Sequence, residues 1–552
     1  MLAQVFLLLA ATVASGQVVQ VPLQHGQPTK RIAIVGMGAG GIASLSGLMT
    51  VPEHMRQGWE ITAFDEREVV GGLWVPQDNP PAPPVLPATP LYPNLRTNGP
   101  HTIMTIPNVP VPPNTPLLAP RAKVLEYWQG IYNATPLPAN QLYLQHSVTK
   151  AEWIGSSERG WWKVTAINLA SNSTRSFAFD HLLVAPGVNR IPRIPHFEGQ
   201  DKWNAAGNIL LHCMWYRDPK PFTGKTALVV GGGPSGLDMT RHLLKVAKKV
   251  NDFEFWCIDK PKNCTQVYWA SAGGLGLIVP GAESVDRLAS LANGVATLRN
   301  GTTLPDVDAI ILATGYSLEV PFLAAGGVMD VMSPDDAQPD TRLTTNGRYI
   351  HPLYEHTVSL DSRYPPGALH FNSILTYNPT GTTNFAQALF TAYTLADPSL
   401  LGTRDELLAG LKRREAIIRR DGQEPSRLGH KTTTGYGKLY GHLGDGPYQD
   451  QLVHSLRDNG LAGYPGIPEA GFNFTETWRV WSMLHAVDVL EGWFHRLQEE
   501  KDDAWEQEYV GGQHTEADYL DAMRRFVEWW AKNNATKPRA VQRTTSFQGL
   551  YF

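Results

Sequence analysis

Cysteine is scarce: Cys213, Cys257 and Cys264 are the three in 552 residues. None stands in a CxxC or CxxxxC pair, which excludes a dithiol reductase, and a chain this large needs no disulfide framework. Charge is modest, 18% of residues with a formal net of -4. No long basic run is present, so neither a nucleic acid nor an anionic membrane is implied as a partner. No stretch after the N-terminus reaches about 18 uninterrupted apolar residues, so no membrane-spanning helix is expected. A G-x-S-x-G elbow is missing, which removes the usual serine hydrolase. His351, Glu355 and His356 lack further ligands at metal-binding spacing, so they read as a structural loop and no metal is expected.

What is present is an ordinary globular composition, 42% hydrophobic, long enough for two or three domains. The first residues read as a secretory signal, residues 1–16. An apolar run from Val5 to Val13 is followed by Ala14, Ser15 and Gly16, with cleavage expected before about Gln17. Asn133, Asn172, Asn263, Asn300, Asn473 and Asn534 each open a glycosylation sequon, where chance at this composition gives about three. The expectation is an N-glycosylated protein, secreted or in the secretory lumen.

Arg31–Val35 is a β-branched run ending in glycines, Gly41–Met49 has helical character, and Ile61–Phe64 is the next strand. That order is a βαβ unit with a right-handed crossover. Prolines between Pro80 and Pro93 predict an irregular extended loop. Leu142–Ala185 alternates as strands and hairpins do. A second unit starts at Thr226, with Ala227–Val230 as strand, Gly236–Val246 as helix and Phe253–Ile258 as the following strand. After Thr314 the chain is expected to turn largely helical, with amphipathic segments at Leu407–Arg420 and Trp481–Leu497 whose aromatic stripes read as core.

Each unit carries a dinucleotide fingerprint. In the first, Gly36 makes the tight turn, Gly38 lets the backbone approach a pyrophosphate and Gly41 permits close helix packing, with Ala39 and Gly40 completing the cofactor-binding fingerprint. The helix N-terminus offers unpaired N–H groups and the positive end of its dipole to phosphates. Asp65 and Glu66 close the second strand, where an acid accepts hydrogen bonds from ribose hydroxyls. In the second, Gly231, Gly233, Pro234, Ser235 and Gly236 form the turn for a nicotinamide dinucleotide. Asp259, Lys260 and Lys262 follow the expected strand; an acid there favours a free 2′-hydroxyl and the cations a 2′-phosphate, a mixed signal that leans to NADPH over NADH. Two such sites in one chain argue for a flavoprotein that takes hydride from a pyridine nucleotide.

Further motifs resemble the flavin-containing monooxygenases. Phe64-Asp65-Glu66 followed by Gly71-Gly72-Leu73-Trp74 is similar to that family's acid-then-GGLW segment, and Tyr92 to Asn98 with Pro100 and Met104 to its Y-x-x-L-x-T-N-x-P segment. Phe197, Gly199, His212 and Tyr216 approximate its F-x-G…H-x-x-x-[FY] pattern. Ala313-Thr314-Gly315-Tyr316 and Asp180–Gly187 resemble its two crossings between nucleotide domains. The resemblance covers about residues 31–395; the C-terminal tail has no match.

The resemblance implies an α/β fold of two Rossmann-like domains, the NADPH domain inserted into a discontinuous FAD domain, with a helical C-terminal extension. The expected division is FAD domain 17–215, NADP domain 216–306, second FAD part 307–400, and a helical region 401–552 completing the substrate side. The implied cofactors are FAD and NADPH. NADPH would reduce FAD, oxygen would add at flavin C4a, and the hydroperoxide would pass oxygen to the nitrogen or sulfur of a small molecule. Gly72, Leu73 and Trp74 would line the flavin, Thr314 and Gly315 the domain crossing. Asn98 would hydrogen-bond beside the reacting oxygen, with turn bonding to its own backbone as the plainer reading. His212 and Tyr216 would sit at the domain join, and Arg96 would meet an anion or a surface carboxylate. Two rival readings use the same motifs: Baeyer–Villiger oxygenation of a ketone, and a non-catalytic or oxidase-type flavoprotein.

Overall fold

The computed structural model describes residues 29–247, 266–270, 282–376, 380–431, 445–499, 504–506, 509 and 513–534. The expected signal, Cys257, Cys264, Asn263 and the segment Phe253–Lys262 lie outside them.

The chain opens with β1 (Lys30–Val35), α1 (Ala39–Thr50) and β2 (Trp59–Phe64), and β1 pairs in parallel with β2. Helix α2 (Arg121–Ala134) and the short β3 (Leu142–Tyr143) follow, then an antiparallel trio: β4 (His146–Gly155), β5 (Gly160–Asn168) and β6 (Thr174–Phe179). β7 (His181–Val184) returns beside β1. Because side chains alternate across a strand, Ile32 and Ile34 pack on the helices whereas Ala33 and Val35 pack on Trp162, Val164 and Phe179 of the trio. Both faces are covered, as a buried parallel sheet requires.

The second unit is an all-parallel, five-stranded sheet. It takes β8 (Ile209–His212), β9 (Thr226–Val230), β10 (Gln266–Ala270), β11 (Glu283–Val285) and β12 (Ala309–Leu312) in the order β11-β10-β9-β12-β8. Helix α3 (Pro234–Ala247) follows β9. β8 and β12 lie just outside the 216–306 span read from sequence, because the crossings at both ends contribute a strand.

One expectation is corrected here. The strand beside β9 is β10, paired from Thr226↔Gln266 to Val230↔Ala270, and the other edge of β9 is taken by β12. The strand end that faces the second glycine turn is therefore Ala270; Phe253–Ile258, expected as the following strand, lies outside the described residues. Lys260 lies outside them as well. A second correction concerns the segment after Thr314. Instead of turning helical, it runs through short strands, among them β13 (Leu353–Tyr354), β14 (Val358–Ser359) and β15 (Leu369–Phe371), and rejoins the first sheet. That sheet has seven strands in the order β13-β14-β15-β7-β1-β2-β3. Strands of two or three residues are too short to show a period, so the sequence does not mark them.

Helices dominate from residue 380 onward. α4 (Thr380–Ala396) lies on α1 so closely that a Cβ on Gly47 would come within 2.7 Å of Ala388. α5 (Arg404–Arg420) starts with a Thr403/Glu406 capping box, which satisfies two otherwise unpaired backbone donors. α6 (Asp445–Leu456), α7 (Thr477–Leu484), α8 (Ala486–Glu499) and α9 (Glu516–Asn534) follow. Among the described residues no helix is long and apolar enough to cross a membrane.

Candidate active site

The first glycine turn is built by exclusion of side chains. Gly36 has φ +96°, and a Cβ there would lie 2.3 Å from the Ala185 carbonyl oxygen at the end of β7. A Cβ on Gly41 would lie 1.8 Å from the Gly36 carbonyl oxygen. Gly38 faces Gly72, and a Cβ on Gly72 would come within 2.5 Å of the Gly38 Cα. The GGLW segment is thereby pressed onto the turn, and the Gly71 N–H donates to the Met37 carbonyl at 2.9 Å. Gly40 sits against Ser373, which sequence reasoning did not select. Helix α1 begins at Ala39 with no side-chain cap and no acid in its first turn, so its terminal N–H groups are open to a diphosphate.

Asp65 is buried, and its two oxygens accept from the backbone N–H groups of Met37 at 2.6 Å and Arg67 at 2.8 Å. Burial raises its pKa, with the Arg67 charge and the two N–H groups opposing. Each carboxylate oxygen keeps a second lone pair for a ribose hydroxyl. Glu66 does not join it: Glu66 accepts from the Ser147 hydroxyl at 2.6 Å and pairs with Arg190 at 2.7 Å. Two adjacent side chains on an extended backbone leave in opposite directions, so only the first of these acids faces the turn.

The second turn repeats the first. Gly231 has φ +127° with a would-be Cβ 2.2 Å from the Ala313 carbonyl oxygen, and Gly236 meets the Gly231 carbonyl oxygen at 2.0 Å. Ala185 and Ala313 thus hold equivalent places; a small residue before each crossing glycine was the available signal. α3 starts with Pro234 and Ser235 and has no acid in its first turn, and Gly233 accepts from the Leu237 N–H at 3.0 Å. The Thr314 hydroxyl donates to the Arg193 carbonyl, and Gly315, at φ +79°, accepts from the Arg193 N–H at 2.9 Å.

The join between the units is aromatic and polar. Tyr92 donates to Asp238 of α3 at 2.5 Å and stands edge-on to Tyr216 and His242. The His212 ring lies 3.1 Å from the Gly315 carbonyl oxygen, and burial lowers its pKa to about 4. Arg96 is bonded to Glu506 at 2.8 Å rather than to an anion site.

Asn98 is exposed, and its side chain makes no hydrogen bond among the described residues, its own turn included. Its neighbour Thr97 is pinned by a backbone bond to Ala119 at 2.9 Å. Beside it a narrow, mainly apolar cavity is lined by Trp74, Thr97, His101, Met104, Tyr127 and Trp128, among others. The Thr97 hydroxyl and His101 Nε2 are buried there with no hydrogen-bond partner among the described residues. Burial lowers the His101 pKa to about 3, so the ring is neutral at ordinary pH. Buried polar atoms of this kind are normally satisfied, and a flavin ring edge is a fitting partner for them. Leu73 anchors the wall by accepting from the Thr89 hydroxyl. Among the described residues no cluster of His, Cys, Asp and Glu could hold a metal.

The sequence profile described as flavin-binding monooxygenase-like matches residues 29–253. Over that segment the chain is similar to the flavin-binding monooxygenases. It is similar to the thiol-specific monooxygenase of Saccharomyces cerevisiae, 27% identical over 330 residues, which is 60% of this chain and 69% of that one. Similarity to the trimethylamine monooxygenase of Roseovarius nubinhibens is 26% over 347 residues, covering 60% and 69%. In fold it resembles the S-allyl-L-cysteine S-oxygenase of Allium sativum, with TM-score 0.64, 19% identity, and coverage of 91% of this chain and 99% of that one. These likenesses indicate an NADPH- and oxygen-dependent monooxygenase that uses FAD, and both turns described above fit those cofactors.

Proposed function

We propose that this monooxygenase inserts oxygen at the nitrogen or sulfur of a small molecule. The observation that carries the reading is the narrow cavity beside the first glycine turn, walled by Trp74, Met104, Tyr127 and Trp128. A small neutral nucleophile fits such walls, and the exclusion of water that they provide protects an activated oxygen from wasteful breakdown. Flavin, when bound and reduced by NADPH, supplies that activated oxygen. The protein's part is placement. Gly36, Gly38, Ala39, Gly40 and Gly41 with Asp65 would hold one dinucleotide. Gly231, Gly233, Pro234, Ser235 and Gly236 would hold the other. Asn98 would orient the reacting centre from the exposed face of the cleft. The thiol- and trimethylamine-directed activities named for the two relatives point to the same soft-nucleophile class.

The cellular setting is part of the proposal: a secreted or luminal glycoprotein acting on a secondary metabolite. Support comes from the apolar segment Val5–Val13 and from sequons Asn133, Asn172, Asn300 and Asn473, which all lie exposed. Asn172 tops the β5–β6 hairpin with φ +54°. NADPH consumption with trial amines, sulfides and ketones, with products identified by mass, tests the reaction; a lactone from a ketone with no N- or S-oxide would overturn it. Expression through a eukaryotic secretory pathway followed by endoglycosidase tests the setting; an unprocessed, unglycosylated chain retained in the cytosol would refute it.

A further inference from the structure

Among the described residues Arg479 is the largest charged side chain with no exposure at all. It lies on α7, beyond residue 395 where the family motifs end. Its Nη1 donates to the Thr102 carbonyl at 2.7 Å and to the Thr105 hydroxyl at 2.9 Å. Its Nε donates to Glu476 at 2.9 Å, and Nη2 reaches Glu516 of α9 at 3.3 Å. Removing a guanidinium from water costs several kcal/mol unless its donors are satisfied. Here they are shared between two C-terminal helices and the segment that carries Asn98. A helix serving only as a cover needs apolar contacts, not a desolvated cation aimed at two backbone turns.

Other contacts converge on the same stretch. The His101 ring packs edge-on against Tyr519 of α9 at 4.5 Å. Tyr519 also donates to the Pro112 carbonyl at 2.8 Å, and the Thr102 hydroxyl meets the Met523 sulfur at 3.3 Å. Thr97, His101, Met104 and Thr105 are cavity-lining residues, so whatever fixes them fixes the cavity wall.

We propose that Arg479 is a positioning residue: it locks residues 97–105 so that the flavin-side cavity stays closed to water. The inference rests on the proposed oxygenase reading for its consequence, and on the geometry alone for the locking. Lysine keeps the charge but lacks the planar fork needed to reach both helices and the turn.

The test uses the full-length holoenzyme with Arg479→Lys and Glu516→Gln, and Asp521→Asn on the exposed side of α9 as control. The expected result has two parts. Flavin content stays at the parent's level, while the rate of hydrogen peroxide release with NADPH and no organic substrate rises by roughly tenfold, since a wall displaced by about an ångström is costly to a reaction geometry. Amide hydrogen exchange speeds up at residues 97–105 and not in β1 or β9. Unchanged exchange at 97–105 overturns the inference, as does faster exchange spread through the whole molecule with loss of flavin, the mark of a merely structural residue. If the parent itself binds no flavin, the oxygenase reading falls, and the exchange measurement still decides the locking.

Discussion

At the scale of single residues, two kinds of position stand out: glycines with no room for a carbon, and buried histidines with no partner. Gly41 belongs to the first kind, since an added Cβ would overlap the Gly36 carbonyl oxygen. Gly41→Ala is expected to leave a folded second unit but to drop bound flavin below about a tenth of the parent's, read from the visible absorbance of purified protein. His370, on β15, belongs to the second. Neither ring nitrogen has a partner among the described residues, and burial, aided by His181, lowers its pKa to about 3. An unfolded histidine titrates near 6.5, so below that pH the unfolded chain binds the extra proton and stability falls as pH drops towards 3. His370→Phe removes that loss. Its unfolding midpoint should exceed the parent's by about 2–4 °C more at pH 5 than at pH 7.5, in scanning calorimetry; an equal difference at both pH values would rule the account out.

At the scale of elements, glycines in two helices have opposite meanings. Gly47 of α1 lets α4 approach, whereas Gly130 of α2 is exposed with nothing within 4 Å of its would-be Cβ. Gly130→Ala should stabilise by about 0.5–1 kcal/mol through the unfolded chain and helix propensity. Gly47→Ala should cost about 1–3 kcal/mol by overpacking. Denaturant titration of both variants would test the pair, and a loss of stability in each would refute it. The amphipathic stripe read from Trp481 to Leu497 shows where periodicity stops being informative. The helix breaks at His485, between α7 and α8, and after the break the fully buried residues are Val489 and Trp493 rather than Val487 and Leu490. Leu484, placed in the stripe, is 47% exposed. A break of one residue rotates the following helix, and a stripe drawn straight through it points to the wrong face.

At the scale of the whole molecule, the join between the two nucleotide units has identifiable physical handles. Tyr92 bonds Asp238 across the join, and the Arg241 guanidinium of α3 lies 3.3 Å over the ring of Phe494 in α8. The C-terminal helices therefore touch both the flavin-side segment and the nicotinamide unit. Tyr92→Phe deletes a charge-assisted hydrogen bond, and the KM for NADPH is expected to rise by about tenfold with flavin content unchanged. Steady-state kinetics at fixed oxygen would show it; loss of flavin instead would mean that Tyr92 supports the first unit rather than the join.

Local pattern was enough for the α/β class, both glycine turns, the acid Asp65, the strands β1, β2 and β9 and the two strand-to-glycine crossings. These features are set by steric rules acting within a few residues: a turn that admits no Cβ must be glycine wherever the chain goes next. Distance along the chain hid the rest. The neighbour of β9 proved to be Gln266–Ala270 because strand pairing is chosen by the whole sheet, not by the next apolar run. Glu66 was drawn to Arg190, Arg96 to Glu506, and Arg479 to Thr102, partners from 124 to 410 residues away in the numbering. A buried charge finds its counterpart only when the core closes around it, so that choice belonged to the tertiary structure.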